Sequence, residues 1–197
     1  MSNLTPEPEA VSSAGGPAID PATRAVMSGR RHHDGALSGG VQPSTTFEIG
    51  SIDDARRLAT QVKPTHFYQR YGNPTVADFE DAIADLEGAQ SARAFASGMA
   101  AISATVLALC SQGSHIVASR QLYGGTRQLL EMACPRFGID VTFADGTEAG
   151  ALAGAVEVGR TSLVLVETPA NPRLDLVDLT EVGNIAGPFT VVDSTFA

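Results

Sequence analysis

The chain has 197 residues and a mass of 20.4 kDa, and its 22 acidic and 13 basic side chains give a formal net charge of -9 at pH 7. A chain this acidic, without a run of Lys or Arg, is not expected to bind nucleic acid or an anionic membrane surface. Hydrophobic residues make up 43% and charged residues 18%, which excludes a disordered chain and is typical of a folded domain.

Two cysteines, Cys110 and Cys134, lie in apolar stretches, so we expect reduced thiols and exclude a disulfide scaffold. The N-terminal residues lack the cationic start and apolar core of a secretory signal, which predicts a cytoplasmic protein. No apolar stretch approaches the roughly 18 residues of a membrane-spanning helix. His32 and His33 have no carboxylate or thiol partner at ligand spacing, so no metal site is expected.

The N-terminal third of the chain is the least regular part. Residues 1–22 are rich in Ser, Pro, Glu, Gly and Ala, which predicts a disordered tail. Residues 23–63 have an irregular pattern, apart from a short amphipathic piece at 53–62 and an extended segment at 43–47. We expect 23–63 to form an arm that contacts a neighbouring subunit.

A regular helix is predicted after Gly72. Asn73 suits the N-cap position, and Pro74 suits the first helical position, where its missing N–H costs nothing. Gly88 ends the helix. One face has apolar residues at helical spacing while acids occupy the other, and the apolar residues are Val76, Phe79, Ile83 and Leu86.

Beyond this helix, short apolar runs alternate with helical stretches. Strands are predicted at 92–96, 115–119, 141–144, 162–167 and 189–194. Helices are predicted from Gly98 and at 126–137, 148–158 and 178–186. This alternation predicts an α/β fold, in which helices cover both faces of a mainly parallel sheet.

Ligands bind beyond the carboxyl ends of parallel strands, so the residues that follow each strand are the candidate site. These residues are Ser97-Gly98-Met99 after the first strand, Tyr123-Gly124-Gly125-Thr126 after the second, Thr168-Pro169-Ala170-Asn171-Pro172 after the fourth and Asp193-Ser194-Thr195 at the end of the last. We expect them to lie together at one rim of the sheet.

The residues of this rim fit a phosphorylated aromatic cofactor. Small residues that open a helix, such as Gly98, bind phosphate through main-chain N–H groups. The ring of Tyr123 offers a stacking surface, and Asp193 can hold a positively charged ring nitrogen. The chain has no G-x-G-x-x-G and no G-x-x-x-x-G-K-[ST], which argues against nicotinamide cofactors and P-loop nucleotides.

Each of these motifs taken alone is more typical of a helix start, a turn or a helix cap, so only their ordered combination indicates function. Three further polar residues, His66, His115 and Glu167, fit structural roles at least as well as catalytic ones. We therefore leave them out of the predicted site.

Five segments occur in a characteristic order: YQRYGNPT at 68–75, ASGMAA at 96–101, LYGGT at 122–126, ETPANP at 167–172 and VVDST at 191–195. In this order they resemble the Cys/Met metabolism family of pyridoxal-phosphate enzymes, from Thr23 to the last residue. That family includes cystathionine γ-synthase, cystathionine γ-lyase, methionine γ-lyase and the O-acyl-homoserine sulfhydrylases.

The resemblance implies a fold, a cofactor and a reaction class. The fold would be that of the fold-type I PLP-dependent transferases, which is aspartate aminotransferase-like. The cofactor would be pyridoxal 5'-phosphate (PLP). The reaction would be that of a carbon-sulfur lyase or a γ-replacement transferase, acting on γ-substituted amino acids in trans-sulfuration and in methionine and cysteine metabolism.

The resemblance also assigns roles to single residues. Gly98 and Met99, with Ser97, would cradle the cofactor phosphate, and Tyr68 and Arg70 would reach that phosphate from the neighbouring subunit.

Four positions would contact the cofactor ring. Tyr123 would stack on the pyridine and assist departure of the leaving group, which makes it the candidate catalytic residue. Asp193 would keep the pyridine nitrogen protonated, and Asn171 and Thr195 would neighbour the ring.

Substrate and assembly are also implied by the resemblance. The substrate would be a small amino acid of the cystathionine, homoserine ester or methionine type. Some methionine γ-lyases carry a cysteine where this chain has Gly125, which favours the synthase, cystathionine γ-lyase or sulfhydrylase branches. The pair formed by Tyr68 and Arg70 implies at least a dimer, and the family implies a homotetramer.

One departure from the family pattern stands out. The family forms a Schiff base between PLP and a lysine that lies further along the chain than the position of Asp193, whereas this chain stops at Ala197. Lys63, the only lysine, matches no cofactor-bonding position. We therefore expect residues 64–197 to be the first part of a PLP-binding large domain, truncated before that lysine and the C-terminal domain.

Three hypotheses are compatible with the sequence. In the first, the chain is part of a PLP-dependent enzyme whose remaining half completes the site. In the second, it is a truncated, inactive pseudoenzyme or partner subunit, and in the third it is an unrelated α/β binding module that shares the motifs. A downstream coding sequence that resumes with Ser-x-Thr-Lys would favour the first, and its absence the second.

Overall fold

The computed structural model describes residues 19–28, 39–62, 64 and 66–197. The chain divides into two compact units, Met1–Ala94 and Phe95–Ala197. The first unit contains three helices within its described residues: α1 (Pro21–Met27), α2 (Ile52–Thr60) and α3 (Pro74–Leu86). The second contains the whole described sheet.

Capping and pairing bonds organise the first unit. The side chain of Asn73 accepts hydrogen bonds at the start of α3, from the N–H of Thr75 at 2.9 Å and that of Val76 at 3.5 Å. Its amide group donates to the carbonyl of Gln42 at 2.8 Å. An antiparallel bridge joins Thr46 to Tyr68. The extended segment predicted at 43–47 is therefore held against the residues that lead into α3.

The second unit alternates helices and strands in the order α4 (Gly98–Leu109), β1 (His115–Ser119), α5 (Gly124–Gln128), β2 (Asp140–Ala144), α6 (Ala151–Gly154), β3 (Thr161–Glu167), α7 (Leu179–Gly183) and β4 (Phe189–Asp193). After α5 the helix continues through a π turn (Leu129–Ala133) and a 3₁₀ turn (Cys134–Phe137). The four strands are parallel and lie in the order β2-β1-β3-β4. The predicted parallel α/β architecture is confirmed.

Two hydrophobic clusters lie on opposite faces of this sheet. One cluster contains Ile116, Leu163 and Leu165 and includes residues of α4 and of the helical turns that follow α5. Val117, Val164 and Val166 alternate with them and belong to the cluster that includes Leu152 of α6 and Val182 of α7. Burying both faces explains why the strands β1 and β3 are almost continuously apolar.

Three expectations about the chain up to residue 96 need correction. α1 begins at Pro21, inside the predicted tail, and Asp20 caps it by accepting from the N–H of Ala22 at 2.9 Å. No strand forms at 92–96, because none of the four sheet strands pairs with that segment. The apolar side of α3 is exposed, with Phe79 at 58%, whereas the helix buries Pro74, Ala77 and Glu80.

Two helices of the second unit are shorter than predicted. The expected helix at 148–158 is reduced to α6, since Gly150 adopts a positive φ of 78° immediately before it. The expected helix at 178–186 is reduced to α7, which begins after the N-cap Asp178. The residues 1–18, His32, His33 and Lys63 lie outside the described residues.

Candidate functional site

A cavity of about 350 Å³ lies at the carboxyl ends of β3 and β4. Its lining combines the start of α4, the loops that follow β1 and β3, and the residues around the end of β4. The lining residues are Ser97, Gly98, Met99, Ile102, Tyr123, Glu167, Asn171, Asp193, Thr195 and Phe196. Seven of the nine residues predicted for cofactor binding are thus brought together.

The start of α4 presents free donors to this cavity. Ser97 is the N-cap, and its hydroxyl oxygen accepts from the N–H of Ala100 at 3.1 Å. The N–H groups of Gly98 and Met99 belong to the first helical turn, and no acceptor faces them among the described residues. A Cβ at Gly98 would meet no atom within 4 Å. The donor set and the open space suit an anionic group such as a phosphate.

The ring of Tyr123 lies against Gly125 and is 47% exposed. A Cβ placed on Gly125 would come within 2.6 Å of Cε1 of that ring and 3.1 Å of the Met99 sulfur. The absence of a side chain at Gly125 therefore lets the ring lie close to the start of α4. The phenol remains accessible from the cavity, as a stacking residue requires.

Asp193 ends β4 and offers one unused carboxylate oxygen. Its Oδ1 accepts from the N–H of Thr195 at 3.1 Å and from the Thr195 hydroxyl at 2.6 Å. Oδ2 accepts no hydrogen bond from any described residue. A fixed carboxylate with one free oxygen is suited to accept a hydrogen bond from a protonated ring nitrogen.

A buried carboxylate that the sequence did not place in the site joins two sides of the cavity. Glu167 is 3% exposed at the end of β3. Its Oε2 accepts from the N–H of Tyr123 at 2.5 Å, and its Oε1 accepts from the N–H of Asn171 at 2.6 Å. Ile102 and Phe196 also line the cavity without having been predicted. Ile102 lies one helical turn beyond Gly98, a spacing that would have indicated it.

A second cavity of about 440 Å³ shares Asn171 with the first. Each arginine that lines this cavity has an acidic partner: Arg173 lies 2.7 Å from Asp175, and Arg120 faces Asp145. Hydrogen bonds from Thr147 and Gln121 lower the pKa of Asp145 below its ordinary value. The lining is polar without a surplus of either charge, so nothing here indicates a site for an ionic ligand.

Tyr68 and Arg70 belong to the first unit and do not line the site cavity. The Arg70 guanidinium carbon lies 5.1 Å from the ring centroid of Tyr68 and 5.4 Å from that of Tyr71. Cation–π contacts at these distances orient an arginine while leaving its N–H groups able to bind. That Tyr68 and Arg70 bind the cofactor phosphate of a neighbouring subunit stays a prediction.

The described residues contain no group of three or more His, Cys, Asp or Glu side chains placed to hold a metal ion. None of their helices combines the length and the apolar character needed to cross a bilayer.

Comparison with known proteins gives a family match over most of the chain. Residues 22–197 match the family model described as Cys/Met metabolism PLP-dependent enzyme. The methionine gamma-lyase of Arabidopsis thaliana is 41% identical over 189 residues, covering 90% of this chain and 42% of that protein. The O-succinylhomoserine sulfhydrylase of Pseudomonas aeruginosa is 40% identical over 179 residues, covering 88% of this chain and 44% of that protein.

Solved structures agree with the sequence comparisons. The cystathionine gamma-lyase of Lactobacillus plantarum, complexed with L-serine, is 32% identical with a TM-score of 0.80, and the match covers 91% of this chain and 45% of that one. A cystathione gamma lyase from Micromonospora echinospora is 37% identical with a TM-score of 0.76, covering 91% and 46%. The chain thus spans less than half the length of the relatives that it matches.

Proposed function

Because the chain belongs to the Cys/Met metabolism family of PLP-dependent enzymes, we propose that it forms the cofactor-binding part of an enzyme acting on γ-substituted amino acids. The observation that carries this proposal is the cavity at the carboxyl ends of β3 and β4. It combines free N–H groups at a helix start, an accessible phenol ring and a fixed carboxylate. These are the three groups that a phosphorylated pyridine needs.

Each part of PLP has a matching group in this chain. The N–H groups of Gly98 and Met99 would bind the phosphate, and the helix dipole of α4 would favour its negative charge. The ring of Tyr123 would stack on the pyridine. Oδ2 of Asp193 would hold the proton on the pyridine nitrogen, while Thr195 fixes Oδ1.

Bound PLP supplies a protonated ring that withdraws electrons from a substrate carbon. The residues of the chain would orient that ring, and the carboxylate of Asp193 would keep its nitrogen protonated. The hydroxyl of Tyr123 donates a proton toward the departing γ substituent, since a phenol both donates and accepts. Substrates would be small amino acids of the cystathionine, homoserine ester or methionine type, in sulfur amino-acid metabolism.

The first unit supports a proposal about assembly. Tyr68 and Arg70 would bind the cofactor phosphate of a neighbouring subunit, within a homo-oligomer of two or four subunits. The cation–π contacts of Arg70 with Tyr68 and Tyr71 support this role, because they hold the guanidinium in one place before any phosphate arrives. The unpaired, buried thiols of Cys110 and Cys134 support a cytoplasmic location.

The test is a measurement of PLP affinity in the full chain and in Asp193→Ala. Removal of a charge-assisted hydrogen bond should raise the dissociation constant at least about ten-fold. Asp53→Ala is the matched control, because the side chain of Asp53 is 90% exposed on α2. Fluorescence titration with PLP and retention of PLP after dialysis both measure the effect.

Three results would contradict the proposal. The wild-type chain fails to bind PLP, Asp193→Ala binds it as tightly as wild type does, or the Asp53→Ala control loses affinity to the same extent.

A further inference from the structure

We propose that Glu167 is a positioning residue, which holds Tyr123 and Asn171 in place and leaves Asp193 as the carboxylate available to the cofactor ring. Glu167 lies at the end of β3 and is 3% exposed. A buried carboxylate in a site cavity is costly unless its oxygens are paired. Both of its oxygens are paired here, and both partners are main-chain N–H groups.

The two bonds reach different loops. Oε2 of Glu167 accepts from the N–H of Tyr123, in the loop between β1 and α5, at 2.5 Å. Oε1 accepts from the N–H of Asn171, in the loop after β3, at 2.6 Å. Hydrogen bonds to a carboxylate are shorter and stronger than those between neutral groups. One side chain thus fixes the backbone beneath both residues.

Tyr123 depends on this bond for its placement. It is the N-cap residue of α5, but its own side chain makes no capping hydrogen bond. Loops are more mobile than the elements they connect, so a bond from a buried strand residue restricts where the Tyr123 ring can lie. The ring is already confined on its other side by Gly125.

The sheet register separates the roles of the two carboxylates. Glu167 of β3 pairs with Asp193 of β4, so both side chains leave the sheet on the same face. Glu167 shares that face with Leu163 and Leu165, whose cluster includes residues of α4. Both oxygens of Glu167 are occupied by N–H groups, whereas Oδ2 of Asp193 accepts nothing from the described residues.

The consequence for the cofactor rests on the proposed function. If Tyr123 stacks on the pyridine and Asn171 neighbours it, loss of Glu167 should loosen both contacts, because both oxygens of Glu167 already accept main-chain N–H groups of those two residues. Glu167→Gln keeps the size of the side chain. It replaces one oxygen by an NH₂ group, which would face a main-chain donor and lose that bond.

The experiment compares wild type, Glu167→Gln and Glu80→Gln as full chains. Glu80 is a matched control because it is also buried, at 5%, and its carboxylate also accepts a main-chain N–H, from Ala94 at 2.9 Å. Glu80 lies on α3 and does not line the site cavity. Both substitutions therefore weaken a bond of the same kind in a buried position.

Two readouts are measured well below the unfolding temperature. The first is amide hydrogen exchange of Tyr123 and Asn171 without cofactor. Exchange should be slow at both amides in wild type and Glu80→Gln, and in Glu167→Gln at least about ten-fold faster at the amide that faces the new NH₂ group. The second is PLP affinity by fluorescence, with the circular dichroism of bound PLP. Glu167→Gln should raise the dissociation constant about ten-fold and weaken the dichroic signal, while Glu80→Gln changes neither.

The outcomes separate this inference from the proposed function. If wild type fails to bind PLP, the proposed function fails, and amide exchange alone decides whether Glu167 fixes the two loops. If Glu167→Gln binds PLP with wild-type affinity and dichroism, the positioning role is wrong while the proposed function stands. If Glu167→Gln does not fold, fast exchange of both amides in wild type would overturn the inference and slow exchange would support it.

Discussion

Gly125 limits the position of Tyr123, the residue that we propose to stack on the cofactor ring. Its position leaves no room for a side chain, because an added Cβ would lie 2.6 Å from Cε1 of Tyr123. Contacts this short require one of the two groups to move. The position of the Tyr123 ring therefore depends on a glycine two positions along the chain, as well as on Glu167.

Gly125→Ala should displace the Tyr123 ring. The ring is the flexible partner in the contact, so we expect its proton resonances to shift and PLP to bind more weakly. Gly124→Ala is the matched control for the ring position, because a Cβ there meets nothing within 4 Å. Unchanged Tyr123 resonances in Gly125→Ala, or equal shifts in both variants, would contradict the close packing.

The helix α3 illustrates which properties of an element the sequence predicts. Its start at Asn73 and Pro74 and its end before Gly88 were predicted correctly, because caps act through neighbouring residues. The buried side was not predicted. Glu80, a charged residue, is buried because the N–H of Ala94 bonds to its carboxylate, while Phe79 remains 58% exposed. That pairing depends on the tertiary structure and leaves no local pattern.

Asn73→Ala should destabilise the first unit by about 1–2 kcal/mol. The substitution removes the cap of α3 and the bond from the Asn73 amide to the carbonyl of Gln42. Asn184→Ala is a matched control, since Asn184 is an exposed residue after α7, and it should change stability by less than about 0.5 kcal/mol. Urea denaturation measures both, and equal losses would contradict the capping role.

Strand pairing sets a second limit on prediction at the element scale. The strands β1 and β3 were predicted almost to the residue, because burial on both faces makes their central residues apolar. The segment 92–96 has a similar local pattern but forms no strand. A parallel strand forms only where another strand pairs with it, and because that partner lies far away in the sequence, the local pattern does not show whether one is present.

On the scale of the whole molecule, the second unit is held together by two apolar clusters on the sheet faces. The cluster on the α4 face contains both thiols, Cys110 and Cys134. Burial raises the pKa of both thiols, and with Cys134 nearby it brings that of Cys110 to about 11, against an ordinary value of 9.0. The neutral thiols are thus part of the core.

The free energy of unfolding should therefore fall as pH rises from about 9 to about 11. In that range the thiols of the unfolded chain have lost their protons while the folded ones keep them, so unfolding releases protons. Below pH 9 the contribution is fully present. Cys110→Ala should show a shallower decline in urea denaturation across this range, and a slope identical to that of wild type would contradict the assignment.

The candidate site could be predicted wherever its residues end a strand or open a helix. Tyr123 and Asp193 were found in this way, because the carboxyl ends of parallel strands meet at one rim. Ser97 lines the cavity because it opens α4, although the strand predicted before it does not form. Glu167 also ends a strand, but its two bonds to main-chain N–H groups are visible only in the folded chain. Its place among the residues that line the cavity was therefore not predicted.

The most direct test of the central claim is amide chemical-shift mapping of the isotope-labelled chain during titration with PLP. We expect the largest shifts on the residues that line the site cavity, which include Gly98, Met99, Tyr123, Asn171 and Thr195. The apolar cavity of the first unit, lined by Phe47, Phe67 and Tyr71 among others, should be unaffected. Shifts confined to that cavity, or none at any PLP concentration, would show that PLP does not bind at the carboxyl ends of β3 and β4.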